Sequence, residues 1–130
     1  MSGHTIKNLM QIEDGAVKFG LSPTLEARFA RDDLGCEQVG LSYQRLAPGA
    51  RHPIFHRHAA DEEVYVITSG RGVVSLDGEE VEIGRWDAIR VAPGTARGFT
   101  AGPDGLELLA FGTHRPGDGE IIPADEPADA

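Results

Sequence analysis

The sequence predicts a single all-β domain, folded as a sandwich or a closed barrel. Three observations carry this. Gly occurs 17 times and Pro 8 times in 130 residues, which suits short strands joined by tight turns. From Cys36 onward, apolar and polar residues alternate in short runs, the pattern of half-buried strands. Turn signals punctuate those runs: Pro48-Gly49, Asp77-Gly78, Pro93-Gly94 and Gly102-Pro103-Asp104-Gly105. A chain of this length buries roughly two-thirds of its unfolded surface, enough for one core. Little room is left for helices, and no internal repeat is present.

The elements follow in order. Residues 1–20 are weakly patterned; Ile6, Leu9 and Ile12 could pack on the barrel as an arm. Ser22-Pro23 can open a helix, with Leu25 and Phe29 on one face. A strand with Leu25, Ala27 and Phe29 inward competes and is preferred, because Asp32-Asp33-Leu34-Gly35 reads as the turn of a hairpin. Val39, Leu41 and Tyr43 then alternate with Gly40, Ser42 and Gln44. His52, Ile54, His56 and His58 share one parity on the next strand; Glu63, Tyr65 and Ile67 share one on the strand after. Gly70-Arg71-Gly72 is expected to turn the chain. Residues 73–76 and 80–83 flank Asp77-Gly78 as a hairpin, and residues 84–87 turn again. Strands over 88–91, 95–100 and 106–111 complete the set. Residues 113–130 carry Pro116, Pro123 and Pro127 with Asp118, Glu120, Asp125, Glu126 and Asp129, and read as a tail, ordered only where it packs.

Charge narrows the partners. The formal net charge is −9, from 12 Lys and Arg against 21 Asp and Glu. Nucleic acids and anionic membranes want a basic face, so neither is expected. The single cysteine, Cys36, excludes an internal disulfide framework and reads as a buried thiol. No apolar run approaches about 18 residues, and the N-terminus lacks a basic-then-apolar signal pattern. A cytoplasmic protein is the expectation.

The chemistry concentrates in residues 49–72, GARHPIFHRHAADEEVYVITSGRG. On a strand, side chains at i and i+2 point the same way. His56 and His58 therefore face one side, about 6.6 Å apart at Cα, and can converge on one ion at about 2.0–2.1 Å. Four residues later Glu63 opens a new strand and can return a carboxylate to the pair. Two His and one carboxylate, with other positions open, form a non-haem metal arrangement. Glu62 would face the opposite side; a one-residue bulge would exchange it with Glu63. His52 shares the parity but lies about 13 Å from His56 along the strand and reads as a barrel-wall residue. His114 reads as a surface residue.

HRHAADEEVYVITSG, two His and a Glu followed by Gly70 after a gap of six residues, resembles the first conserved motif of the cupins. WDAIRVAPGTARGF, residues 86–99, is similar to the second, and the resemblance covers roughly residues 36–112. It implies a cupin-type jelly-roll β-barrel (a double-stranded β-helix) with a metal inside its wide mouth, and a homodimer. It divides the chain into an arm and first strand over 1–35, a barrel core over 36–112 and a tail over 113–130. The second cupin motif supplies a fourth metal ligand, a His. This chain has Arg97 there, a departure that puts metal binding itself in question.

Arg97 decides the chemistry. In one outcome a divalent ion (Fe, Mn, Ni or Zn) stays on His56, His58 and Glu63, and Arg97 helps hold an anionic ligand such as a carboxylate. Repulsion between a guanidinium and a dication about 5 Å apart is roughly 7 kcal/mol at an effective dielectric near 20, so an anion is needed between them. In a second outcome Arg97 turns inward, pairs with Glu63 and replaces the ion, leaving a metal-free site. In a third it points to solvent. Tyr65, Phe99 and Trp86 read as packing residues, and Tyr65 and Phe99 can also line the pocket beside Arg97 as ligand contacts. No separate nucleophile and base are recognisable, so an enzyme here would draw its chemistry from the ion, as a metal-dependent dioxygenase or isomerase does. A non-catalytic anion-binding module and a purely structural barrel are the competing expectations.

Overall fold

The computed structural model describes residues 3–122. Eight strands among them form one curled antiparallel sheet. The first, β1 (Leu25–Phe29), pairs with β2 (Val39–Leu46), which pairs with the long β7 (Arg97–Thr113). The other face of the curl is built on β4 (Glu63–Leu76), which pairs with β5 (Glu79–Gly84), β6 (Ala88–Val91) and β7. At the rim, β3 (Phe55–His58) lies between β7 and β8 (Gly119–Ile122). Among the described residues, no helix is long and apolar enough to cross a membrane.

Leu25 and Ala27 of β1, Leu46 of β2, Tyr65, Ile67 and Val74 of β4, and Phe99, Leu106, Leu108 and Ala110 of β7 fill the interior. Their spacing by two residues follows the pleat, which sends alternate side chains inward. A fully buried Leu or Ile contributes on the order of 1.5–3 kcal/mol, so this cluster is the main source of stability. Of the N-terminal apolar residues, Ile12 is buried and Ile6 is exposed. Asp14 ties this arm to the sheet: its Oδ1 accepts from the N–H of Ala16, at the start of the single helical turn α1 (Gly15–Lys18), and from that of Ala27.

Several local expectations are corrected. Gly70-Arg71-Gly72 does not turn the chain; β4 runs through it, with register shifts against β7 at Ile67/Ser69 and Gly70/Gly72. The glycines are needed there for close approach. A Cβ on Gly70 would lie 2.1 Å from the carbonyl oxygen of Gly105, and one on Gly72 2.2 Å from that of Thr100. The stretch 102–105 likewise stays within β7. Asp32-Asp33-Leu34-Gly35 forms a helical turn, α2 (Arg31–Leu34), ended by Gly35 in the left-handed region, and it still links two antiparallel neighbours. Phe29 is 59 % exposed and faces the cavity mouth, not the core. Trp86 is 65 % exposed, with the Arg85 guanidinium 5.0 Å from its ring, so it does not pack inside. Residues 1–2 of the arm, and Pro123, Asp125, Glu126, Pro127 and Asp129 of the tail, lie outside the described residues.

Candidate metal centre and cavity

The curl of the sheet encloses a cavity of about 390 Å³. Gly40, Ser42 and Gln44 of β2 line one side; His56 and His58 of β3, with Glu63 and Tyr65 of β4, line the other. Phe29, Arg31, Asp32 and His114 surround the mouth.

The spacing argument for the two histidines holds in the geometry. Their rings sit edge to face with centroids 5.0 Å apart. Glu63 begins β4 and aims one oxygen at both: its Oε1 lies 3.5 Å from His56 Nε2 and 3.8 Å from His58 Nε2. The Tyr65 hydroxyl donates to the same oxygen. Glu62 points away and pairs with Arg90 at 3.0 Å on the surface. Burial pushes the Glu63 carboxyl up, but attraction to His56 and Tyr65 outweighs it and holds the group below the usual carboxylate range. Burial raises the Tyr65 phenol well above its ordinary range, so it remains a donor.

Arg97 is 1 % exposed, which excludes the solvent-facing outcome. It opens β7 as the register partner of His56. Its Nη1 stands 4.0 Å from Glu63 Oε1, and Nε, Nη1 and Nη2 have no hydrogen-bond partner in the structure. Arg97 and Phe99 do not line the cavity. Phe99 packs behind it, its ring centroid 4.8 Å from that of Tyr65.

Two features of the site were not read from the sequence. The first is a polar chain that runs from the inner side of β2 to His52. The Ile54 N–H donates to His52 Nδ1, His52 Nε2 contacts Gln44 Oε1 at 2.8 Å, and Gln44 Nε2 donates to Ser42 Oγ. Since Nδ1 accepts, His52 is the neutral Nε2–H tautomer and donates to Gln44. Burial lowers its pKa to about 4, and repulsion from His56 adds to this. Ser42 and Gln44 sit on the inward parity of β2, although the alternation put them opposite the apolar Val39, Leu41 and Tyr43; Ser42 is buried and Val39 exposed. The second is a pair of acids beside His58: Asp118 Oδ2 is 3.5 Å and Asp61 Oδ2 4.0 Å from His58 Nδ1. No local pattern links Asp61 to Asp118, which meet only through folding.

Among the described residues, two groups of side chains have the donors to hold a cation. One is His56, His58 and Glu63; the other is His58, Asp61 and Asp118. In the second, Asp61 already accepts from the Thr113 hydroxyl, the Arg115 N–H and the Arg115 guanidinium, and Asp118 accepts from the N–H groups of Ala60 and Asp61. Its carboxylates are engaged, so the first group is the better cation site.

Comparison with known proteins agrees with this architecture. The family model described as the cupin domain matches residues 42–111, just over half of the chain. An uncharacterized protein of Methanocaldococcus jannaschii is 35 % identical over 52 residues, a match covering 40 % of this chain and 42 % of that protein. The chain therefore matches under half the length of that curated relative. Among solved structures, a cupin protein from Bacteroides fragilis superposes with a TM-score of 0.72 at 24 % identity, covering 100 % of this chain and 97 % of that one. The Streptomyces nucleoside dehydratase Pac13 superposes with a TM-score of 0.65 at 16 % identity, covering 82 % of this chain and 84 % of that one. Identities this low speak for the fold alone.

Proposed function

This chain belongs to the cupin domain family, and from that premise we propose that its barrel mouth binds a small anionic molecule beside a divalent-metal site of reduced ligand count. His56, His58 and Glu63 would hold the ion, and Arg97 stands in place of a fourth ligand. One observation carries this reading: both Nε2 atoms lie 3.5–3.8 Å from a single carboxylate oxygen. Tetrahedral neighbours around an ion with bonds of about 2.1 Å are themselves about 3.4 Å apart, so the donor set fits with little movement. When bound, a Zn, Mn, Ni or Fe ion supplies Lewis-acid or, for Fe, oxygen chemistry.

The residues of the chain do the rest. Tyr65 fixes the Glu63 carboxylate by donating to it. Arg97 backs the same oxygen from the buried side. A dication, one guanidinium and one carboxylate leave two positive charges at the cavity wall, which favours an anionic ligand such as a carboxylate. Tyr65, Gln44 and Ser42 would contact it; Arg97 and Phe99 would act from behind. The reaction is not assigned, because the fold is shared by proteins of many activities. The division into an arm (1–35), a barrel core (36–112) and a C-terminal segment (113–130) belongs to the same reading. So does the homodimer, which the apolar outer face of β7 and β2, with Phe111 and Val39 exposed, supports.

A second reading has a specific observation behind it. The three guanidinium nitrogens of Arg97 lack partners, and Nη1 stands 4.0 Å from Glu63 Oε1, so a rotation of the side chain could give a bidentate pair. The protein would then be a metal-free binding or structural cupin.

Thermal-shift titration separates the two. The metal reading predicts a rise in Tm with Zn²⁺ or Mn²⁺ that carboxylates increase further and a chelator reverses. Stabilisation by carboxylates that persists in chelator, with no response to any ion, would replace it with the second reading.

A further inference from the structure

The strand that carries the two histidines is held mainly from the C-terminal side. β3 meets β7 through the pair His56–Arg97, whereas β8 pairs with it at four positions, from Phe55–Ile122 to His58–Gly119. Asp118, just before β8, fastens the turn that follows β3. Its carboxylate accepts from the N–H groups of Ala60 and Asp61 at 3.0–3.2 Å, and its carbonyl accepts from the N–H of Ala59 at 3.2 Å. The same carboxylate faces His58 Nδ1, a buried nitrogen without a hydrogen-bond partner in the structure.

A neutral imidazole carries one N–H, and only the bare nitrogen can bind a metal. At His58, carboxylates on the two sides of the ring compete for that proton. Glu63 lies at the Nε2 side and draws the N–H there, which would block ligation. Asp118 and Asp61 lie at the Nδ1 side and draw it the other way. Asp61 already takes three donors from Thr113 and Arg115 and lies 4.0 Å away, so Asp118, at 3.5 Å and with two N–H donors, is the nearer and less occupied acceptor.

We propose that Asp118 is the positioning carboxylate of this centre: it accepts from His58 Nδ1–H and so presents the bare Nε2 to the ion. This rests on the metal reading above. Partners of this kind orient ligating histidines, and their loss typically lowers metal affinity about 10–100-fold.

The test reads the tautomer directly, by 15N NMR of the imidazole rings in metal-free protein, and the Zn²⁺ affinity separately, by calorimetry. Wild type should show His58 as the Nδ1–H tautomer. Asp118→Asn should shift it towards Nε2–H and weaken Zn²⁺ binding about 10–100-fold. Glu120→Gln, which removes the charge that pairs with Arg57 two residues along the chain from Asp118, should change neither reading. Asp118→Ala gives the same comparison without any acceptor, with the backbone spectrum reporting whether the sheet is intact. An Nε2–H tautomer in wild type, or a tautomer unchanged in both Asp118 variants, overturns the proposal. A wild type that shows the Nδ1–H tautomer, loses it in the variants and yet takes up no metal overturns the metal reading instead.

Discussion

His56 and Arg97 face each other as register partners where β3 meets β7. The chain therefore sets a buried guanidinium directly across from a candidate metal ligand, at the position where the second cupin motif supplies a His. A cation so close opposes a second cation. Arg97→His should replace repulsion with a fourth donor and tighten Zn²⁺ binding at least about tenfold, or about 1.4 kcal/mol. Calorimetric titration checks this; an unchanged affinity would mean that Arg97 has no influence on the ion.

Glu62 and Glu63 are adjacent in sequence and opposite in orientation. Glu63→Gln removes the charge on which both histidines converge and should weaken metal binding by two orders of magnitude or more. Glu62→Gln removes an exposed partner of Arg90, worth up to about 1 kcal/mol at most, and should leave metal binding unchanged. Equal losses in the two variants would contradict the assignment of Glu63.

His52 makes a prediction about pH. Its folded pKa is lowered to about 4 against an ordinary 6.5, because burial disfavours the cation and repulsion from His56 adds to this. The unfolded chain takes up this proton below about pH 6.5 and the folded one does not until about pH 4. The contribution of His52 is thus fully present above pH 6.5 and is lost as pH falls through that window, by roughly 3 kcal/mol. Urea unfolding at pH 7.5 and 4.5 should show a smaller drop for His52→Gln than for wild type. Identical drops would place the acid sensitivity elsewhere.

Gly112 sits opposite Glu63 in the β4–β7 register, and a Cβ there would lie 2.1 Å from the Glu62 carbonyl oxygen. Gly112→Ala should force the start of β4 away from β7 at an overpacking cost of about 1–3 kcal/mol. Because that shift moves Glu63, metal affinity should fall as well. A variant with wild-type stability in chemical denaturation would show that the two backbones are not so tightly apposed.

What was legible in the sequence was what is local. The alternation from Val39 onward, the Asp77-Gly78 hairpin and the run from His56 to Gly70 each depend on neighbours a few residues apart. Arg97 could be recognised as a departure, yet its inward direction could not, because that depends on β7 lying beside β3. Gly70-Arg71-Gly72 reads locally as a turn; its actual use, letting β4 pass close to the backbones at Gly105 and Thr100, comes from contacts distant in sequence. Asp118 and Asp61 were invisible as partners of His58 for the same reason. Trp86 misled because a large apolar side chain in a turn carries no mark that it stays outside.

Metal content tests the central claim most directly. The protein, prepared without a His-tag or chelator, would be loaded in turn with Mn²⁺, Fe²⁺, Ni²⁺ and Zn²⁺, dialysed and measured by elemental analysis beside the His56→Ala/His58→Ala double variant. The account predicts about one ion per chain in wild type and none in the variant. No retained ion under any loading, or equal retention in both proteins, would contradict it.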